Sequence, residues 1–465
     1  MKRVLIALAA ALASGVLLHL GAGLHPVAWL TWLAPLPVLL AAPRVGGGAA
    51  FGAGALAWLG GQLQLWPYFT GTLEMPVPVA AGLVAGPALL FGCGVLLHRT
   101  LLARRRPLLA VLAVPALWVC AEYLMALAGP HGAWWSLAYT QAGVLPVLQT
   151  ASVAGVWGIT FLLLLVPAAA AALLAPDAGR RPRVALTAGA LAGLALAYGF
   201  ARLATGQDGE PRREIALIST DAPRDTADLG SPQGRDLLAR YRRAVGAAAA
   251  RGAEIAVLPE KTFGTATARP PLAAQGTAVV TGVALRAGAT WTNSALAHPS
   301  GGRYDKHHLI PGLESEFTPG HTLTFLGRTT TGLIICKDLD FPWLVRRYRQ
   351  AGATALLAPA WDFGDDAWLH SRMAVVRGVE SGLSVARAAR QGLLTVSDTR
   401  GRVLAEGRSG SPGMTTVLAA LPQRGAPTLY TVLGDWAAWC SAALLLAALL
   451  TLARRRAGGR SPATP

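Results

Sequence analysis

Eight stretches of this chain, at 4–21, 27–42, 48–66, 77–98, 107–128, 152–175, 184–203 and 429–453, are almost free of charge. Most reach, and the second approaches, the roughly 20 apolar residues that a helix needs to cross a bilayer. No other feature restricts the fold as much, because a backbone in lipid must satisfy its own hydrogen bonds, and each run is therefore predicted to be a spanning helix. Composition agrees: 53% of residues are hydrophobic and only 14% charged, whereas a soluble domain carries near 25% charged residues. A disordered, collagenous or wholly soluble protein is excluded. The first run follows Lys2 and Arg3 and leads straight into further spans, so it is read as a retained helix rather than a cleaved signal.

Basic residues in cytoplasmic loops orient such proteins. With eight crossings, Lys2 and Arg3, Arg44, Arg99 with Arg104 to Arg106, Arg180, Arg181 and Arg183, and Arg454 to Arg456 all fall on one side. The opposite connections, around His25, 66–76 and 129–140, contain neither Lys nor Arg. Both termini are then cytoplasmic, and the long segment between the seventh and eighth runs lies outside, on the periplasmic face if the cell is a bacterium. The formal net charge of +17 resides largely in these clusters and reads as topology and anionic headgroup contact. Nucleic-acid binding is not expected, since no basic stretch is interleaved with aromatics that could stack bases.

The division follows: a membrane part at 1–203, an extracytoplasmic domain at 204–428, a last span at 429–453 and a basic tail at 454–465. Within 204–428, charges of both signs appear and short apolar runs at 214–220, 254–260, 277–285, 331–336, 353–359 and 393–398 read as buried strands. Helical patterns occupy 234–251, 342–351 and 366–381. This is a layered α/β domain large enough to bury its own core.

Only four of the 41 basic residues are lysines, namely Lys2, Lys261, Lys306 and Lys337, and the last three lie in this domain. A base composition that favours Arg explains the bias; a position that needs a compact ammonium rather than a planar fork explains the exceptions. Polar residues also stand at or after strand ends, where α/β folds place reacting groups: Glu260, Lys306 and Cys336. A thiol can attack a carbonyl as its thiolate, a carboxylate can take and return the proton, and an ammonium can stabilise the oxyanion. The other cysteines, Cys93, Cys120 and Cys440, fall in apolar runs and form no CxxC, so neither a disulfide framework nor a zinc site is expected. Cys336 as an inert core thiol, and Glu260 with Lys306 as a structural ion pair, are the bland alternatives. His307 and His308 read as exposed loop histidines rather than metal ligands, and Glu122 as a functional group or a polar contact between helices. The 66–76 connection, with Trp66, Tyr68, Phe69 and Met75, suits interfacial anchoring or the guiding of lipid chains.

The order Glu after LPE, Lys in Y-x-K-x-x-L-x-P and Cys after an apolar strand resembles the nitrilase superfamily of carbon-nitrogen hydrolases, and His370, Ser371, Arg372, Met373, Arg377 and Glu380 resemble the helix after its nucleophile. Seven runs before such a domain and one after it resemble the apolipoprotein N-acyltransferase family. Trp118, Glu122, Trp134 to Tyr139, Gln141, Gln149, Gly155, Gly158 and Phe161 fit that family's membrane stretch. The resemblance implies an αββα sandwich inserted in an eight-span membrane protein of the bacterial inner membrane. It implies a phospholipid acyl donor, a diacylglyceryl-cysteine lipoprotein acceptor and a thioester between them, with no cofactor or metal, in a monomer. Carried over, Cys336 is the nucleophile, Glu260 the base, Lys306 the oxyanion cation, Glu314 the supporting glutamate and Asp338 the acidic residue after the nucleophile. The chain departs from the family at Lys337, where Tyr is usual and where a second cation is expected to lower the thiol pKa further, at Gly312 in PGLE and around Trp361 in APAWDFGDD. Rival readings are a membrane-anchored amide hydrolase with the same triad and an inactive membrane scaffold.

Overall fold

The computed structural model describes residues 1–176, 181–205, 211–266, 270–272 and 274–457. Helices of the N-terminal part are α1 (Lys2–Gly21), α2 (Ala28–Leu33), α3 (Leu36–Ala41), α4 (Gly47–Gln62), α5 (Val77–Ala103), α6 (Pro107–Ala128), α7 (Leu145–Leu148), α8 (Ala151–Leu173) and α9 (Pro182–Ala204). They share one core with large side chains such as Trp58, Phe91 and Trp157 buried against Ala and Gly, so small residues let the helices approach closely.

The α/β domain contains β1 (Arg212–Ser219), β2 (Ala227–Asp228), α10 (Pro232–Ala250), β3 (Ile255–Val257), β4 (Phe263–Thr265), β5 (Ala278–Ala287), β6 (Thr290–His298), β7 (Arg303–Asp305), β8 (Thr324–Phe325) and β9 (Thr331–Leu333). It continues through α11 (Pro342–Gln350), β10 (Ala355–Trp361), α12 (Ala367–Ser381), β11 (Ser384–Arg390), β12 (Leu393–Ser397), β13 (Val403–Arg408) and β14 (Thr415–Pro422). The short α13 (Leu429–Leu433) then leads into α14 (Trp436–Ala457).

One sheet has the order β14-β1-β3-β5-β4-β2, with β6 paired to β5 and β7 to β6, and the other has the order β13-β12-β11-β10-β9-β8. They pack face to face: Ile215, Leu217 and Val257 of the first share a core with Leu333, Leu357 and Ala386 of the second. Helix α10 covers the outer face of the first sheet with Leu237, Tyr241 and Val245, and α11 and α12 lie outside the second. Apolar runs buried on both faces produce this arrangement, the four-layer αββα sandwich that the resemblance implies.

Six of the described helices, α1, α5, α6, α8, α9 and α14, are long and apolar enough to cross a membrane. The other two runs take a different form. The 27–42 run is broken into α2 and α3 around Ala34 and Pro35, because proline offers no N–H to continue a helix. The 48–66 run yields α4, of 16 residues, about 24 Å at 1.5 Å per residue, extended by the turn Leu63–Leu65. The count of eight single spanning helices is therefore not met by length. The basic segment predicted at 454–465 begins as the last turn of α14; residues 458–465 lie outside the described part, as does Arg180.

The two ends of the bundle differ in chemistry. At one end Arg44 donates to the Leu174 carbonyl at 3.3 Å, Arg99 to that of Val45 at 2.8 Å and Arg104 to that of Leu452 at 2.8 Å. At the other, connections without Lys or Arg grip the α/β domain: the His25 imidazole lies 3.2 Å from the Asp365 carbonyl, Tyr68 donates to Asp366 at 2.7 Å, and Gln149 donates to the Arg400 carbonyl at 2.9 Å. Helix α8 unwinds at Gly155 (φ 65°), and the freed Val156 N–H donates to the Glu380 carboxylate of α12 at 2.7 Å. Arg377 of α12 donates to both Glu380 and Tyr139.

Candidate active site

Parallel pairing aligns the C-terminal ends of β9, β10 and β11, with Leu333 opposite Leu357 and Trp361 opposite Arg390. Glu260 follows β3, its N–H donating to the Ala360 carbonyl of the facing sheet at 3.3 Å. Gly282 is required there, since a Cβ on it would sit 2.5 Å from the Glu260 Cα. Cys336 leaves β9 with φ at +41° and opens the single turn Cys336–Asp340. A non-glycine residue held in this region is strained, a feature that clusters at reacting positions. The turn brings its buried thiol to the edge of the strand ends, where it faces the Trp361 carbonyl at 3.6 Å.

Lys306 is completely buried. Its ammonium donates to Glu260 Oε1 at 2.8 Å and to Glu314 Oε2 at 2.8 Å. Asn293 Nδ2 bridges the same two carboxylates, at 2.5 Å from Glu260 Oε1 and 2.7 Å from Glu314 Oε1. Burial opposes a charge on Lys306, but Glu260, Glu314 and Cys336 together hold its pKa above the ordinary lysine value. Glu314 is driven the other way: burial would raise it, yet Lys306 and Lys261 bring it down to about 2. The thiol of Cys336 is pushed well up, first by burial and then by Glu260, against the opposing pull of Lys306 and Arg387. Lys337 and an ionised Cys336 attract one another, as expected from the sequence, but burial outweighs that attraction in the resting site. Lys337 is itself buried beside His131, its Nζ 2.9 Å from His131 Nδ1 and 3.9 Å from Asp340 Oδ2. A thiol that stays protonated needs a base, and Glu260 shares an electrostatic environment with it.

Asp338 points away from this chemistry. It accepts from Tyr304 at 2.7 Å and from the backbone and ring of His308 at 2.8 and 2.9 Å, with a longer contact from the His307 N–H at 3.3 Å. It therefore ties the nucleophile turn to the segment that carries Lys306. His307 and His308 are not the free loop histidines expected from the sequence: both are half-buried, and the His308 ring stacks on Phe341 at 3.5 Å. Glu122 proves a polar contact, accepting from Trp118, Ser136, Thr160 and the Leu137 N–H at 2.8 to 3.0 Å. It fixes the 129–141 connection, whose Ala133 N–H donates to the Asp340 carbonyl at 2.8 Å.

Cys336 opens into a cavity of about 380 Å³ lined by both halves of the molecule. The domain supplies Lys337, Gly312, Leu313, Trp361 and His370; the bundle supplies Tyr68, Phe69, Leu73, Met75, Trp134 and Trp135. Tyr68 and Phe69 are buried, so this part of the aromatic connection walls the cavity rather than standing at an interface. The departures at Gly312, Trp361 and Lys337 are all cavity residues.

Several neighbours were not singled out from the sequence as site residues: Lys261, Asn293, His131, Asp362 and Arg387. Lysine scarcity flagged Lys261, the polar TN in an apolar strand marks Asn293 and Asp362 lies in the departing stretch APAWDFGDD, but Arg387 carries no local signal. Asp362, Asp366 and His370 bring ligand-type atoms within 4.8 Å of one another. The group does not fit a metal. Arg387 donates to both Asp362 oxygens, Tyr68 and the Phe363 N–H already occupy Asp366, and His370 is an imidazolium, raised to about 10 against its burial by Asp366 and Asp362.

The family model described as apolipoprotein N-acyltransferase N-terminal domain matches residues 14–169. The apolipoprotein N-acyltransferase of Geobacter metallireducens is 29% identical over 96% of this chain and 95% of its own length. That of Bradyrhizobium diazoefficiens is 29% identical over 76% of this chain and 74% of its own. Among solved structures, an amidase of the nitrilase superfamily from Nesterenkonia AN1 aligns with a TM-score of 0.37 at 22% identity, covering 46% of this chain and 93% of that one. With its membrane part matched and one relative aligned from end to end, the chain is similar to the apolipoprotein N-acyltransferases throughout its length and is an enzyme of the acyltransferase class.

Proposed function

We propose that this protein moves an acyl chain from a phospholipid to the N-terminal amine of a diacylglyceryl-cysteine lipoprotein through a thioester on Cys336. The observation that carries the reading is the fully buried Lys306, clamped between Glu260 and Glu314 and coupled electrostatically to a cysteine at the floor of an apolar cavity. In the first step Glu260 takes the thiol proton, sulfur bonds to the ester carbonyl carbon, and Lys306 stabilises the oxyanion. The carbon–oxygen bond breaks, and the proton on Glu260 passes to the departing lysophospholipid alkoxide. In the second step the amine attacks the thioester and gives a proton to Glu260. Carbon–nitrogen bond formation expels the thiolate, which recovers that proton. Cavity walls supplied by the bundle favour acyl transfer over an amide hydrolase, because both substrates keep chains in lipid while their polar ends reach sulfur.

The same reading places eight crossings in the bacterial inner membrane, α2 with α3 forming the second and α4 the third, with a monomeric enzyme divided at 203, 428 and 453. The path of the chain supports it: His25 touches the α/β domain while Arg44 reaches the C-terminal end of α8, so 25–44 traverses the bundle despite its break. The basic ends then face the cytoplasm and the catalytic domain the periplasm.

The test is to trap the acyl-enzyme. Membranes containing the protein are incubated with a phospholipid bearing an alkyne-tagged acyl chain. A hydroxylamine-sensitive adduct is expected on the native chain and none on Cys336→Ser; an adduct that persists in the variant refutes the assignment.

A further inference from the structure

One charged group in the cluster is not used by the reaction just described. Lys261 follows Glu260 directly and is held at φ +46°. Its Nζ donates to Glu314 Oε1 at 2.9 Å, on the carboxylate oxygen opposite the one that receives Lys306. The ammonium lies 5.3 Å from the ring centres of both Phe317 and Trp361, a setting in which aromatic faces favour a cation. Its side chain is only 15% exposed. Trp361 is also the residue whose carbonyl faces the Cys336 thiol.

Among the groups hydrogen-bonded to the Lys306 ammonium, Glu260 and Glu314 bring two negative charges, and Lys306 alone would leave this group one negative charge in excess. Farther out, Arg390 acts on Glu260, Lys337 with its neighbour Asp340 on Lys306 and Glu314, and Arg387 with its partner Asp362 on Cys336. An excess of that sign opposes both an ionised Glu260 and the oxyanion that Lys306 is to stabilise. With Lys261 present, Glu314 has a cation of its own, and Lys306 is free to answer Glu260 and the reacting oxygen. Asn293 carries the effect further, since its single amide nitrogen bridges Glu314 and Glu260. We propose that Lys261 is a positioning residue of this site, a second ammonium that neutralises Glu314 and so keeps Glu260 ionised and Lys306 available. The inference rests on the thioester reading of Cys336.

The experiment follows the rate of acyl adduct formation on Cys336 from the tagged phospholipid, in detergent-solubilised full-length protein, between pH 4 and 9. Lys261→Met and Lys261→Gln are each expected to slow labelling by roughly tenfold or more. They should also move the acid limb of the rate profile upward by about one pH unit. Lys261→Arg keeps the charge and should leave that limb in place, whatever its effect on rate. In Lys261→Met combined with Glu314→Gln the balance of charge returns, and the limb should move back down. A limb that stays at its native pH in both neutral variants overturns the proposal, whether or not the rate falls, because lost packing alone slows the reaction without moving a titration. Absence of labelling in the native protein would remove the thioester reading and this inference with it.

Discussion

Removing the charge of Glu314 should weaken the domain in a way that depends on pH. Glu314 has no exposed side-chain surface and sits between Lys306 and Lys261 at 2.8 and 2.9 Å, with the Ile310 N–H at 2.9 Å. Its pKa falls from the ordinary 4.5 to about 2, the lysines overcoming burial. A depressed carboxylate pKa means that the folded state binds the anion better than the unfolded chain does. The stabilisation is complete above about pH 4.5 and is lost as the pH falls through 2. At 1.36 kcal/mol per pKa unit, the difference amounts to about 3 kcal/mol at neutral pH. For a domain of this size that corresponds to roughly 6–12 °C in Tm. Glu314→Gln keeps the shape and removes the charge. Thermal unfolding followed by far-UV circular dichroism in detergent, at pH 7 and again near pH 3, should show the variant less stable by this amount at pH 7 and the gap narrowing in acid. Equal stability at pH 7, or a gap of the same size at both pH values, would refute the electrostatic account of this carboxylate.

Lys306→Arg should lower acyl-enzyme formation by about a hundredfold or more, because a planar guanidinium cannot replace a point charge between two carboxylates in a site with no exposed surface; labelling at the native rate would sink the argument. Gly155→Ala should destabilise the junction of bundle and domain by about 1–3 kcal/mol, since the residue has φ 65° and its new Cβ would lie 2.7 Å from the Tyr430 ring; an unchanged Tm would show that the kink relaxes freely. A reporter active only outside the cytoplasm, fused after Arg424, should be active, and activity of a cytoplasmic reporter there would overturn the proposed orientation.

The apolar runs determined that this is a membrane protein, because lipid leaves a backbone no partner except itself. The distribution of Arg gave the two ends of the bundle their different characters, and buried strands at 214–220, 331–336 and 353–359 were legible from continuous apolar sequence. The candidate triad was legible for a related reason: Glu260 and Cys336 each end such a run, Lys306 directly follows a strand, and a polar group at a strand end has few structural excuses. Strand β11 was hidden by composition, for Arg387 and Arg390 resemble surface residues until Asp362, from the neighbouring strand end, neutralises the first and Trp361 stacks on the second at 4.0 Å. The break at Pro35 was written in the chain, yet its path through the bundle depends on contacts more than 300 residues away in sequence. Charge state belonged to the tertiary structure alone. Whether Cys336 is a thiol, whether Glu314 is an anion and whether Lys261 answers it are settled by burial and by distances of about 3 Å between side chains that local sequence pattern does not join.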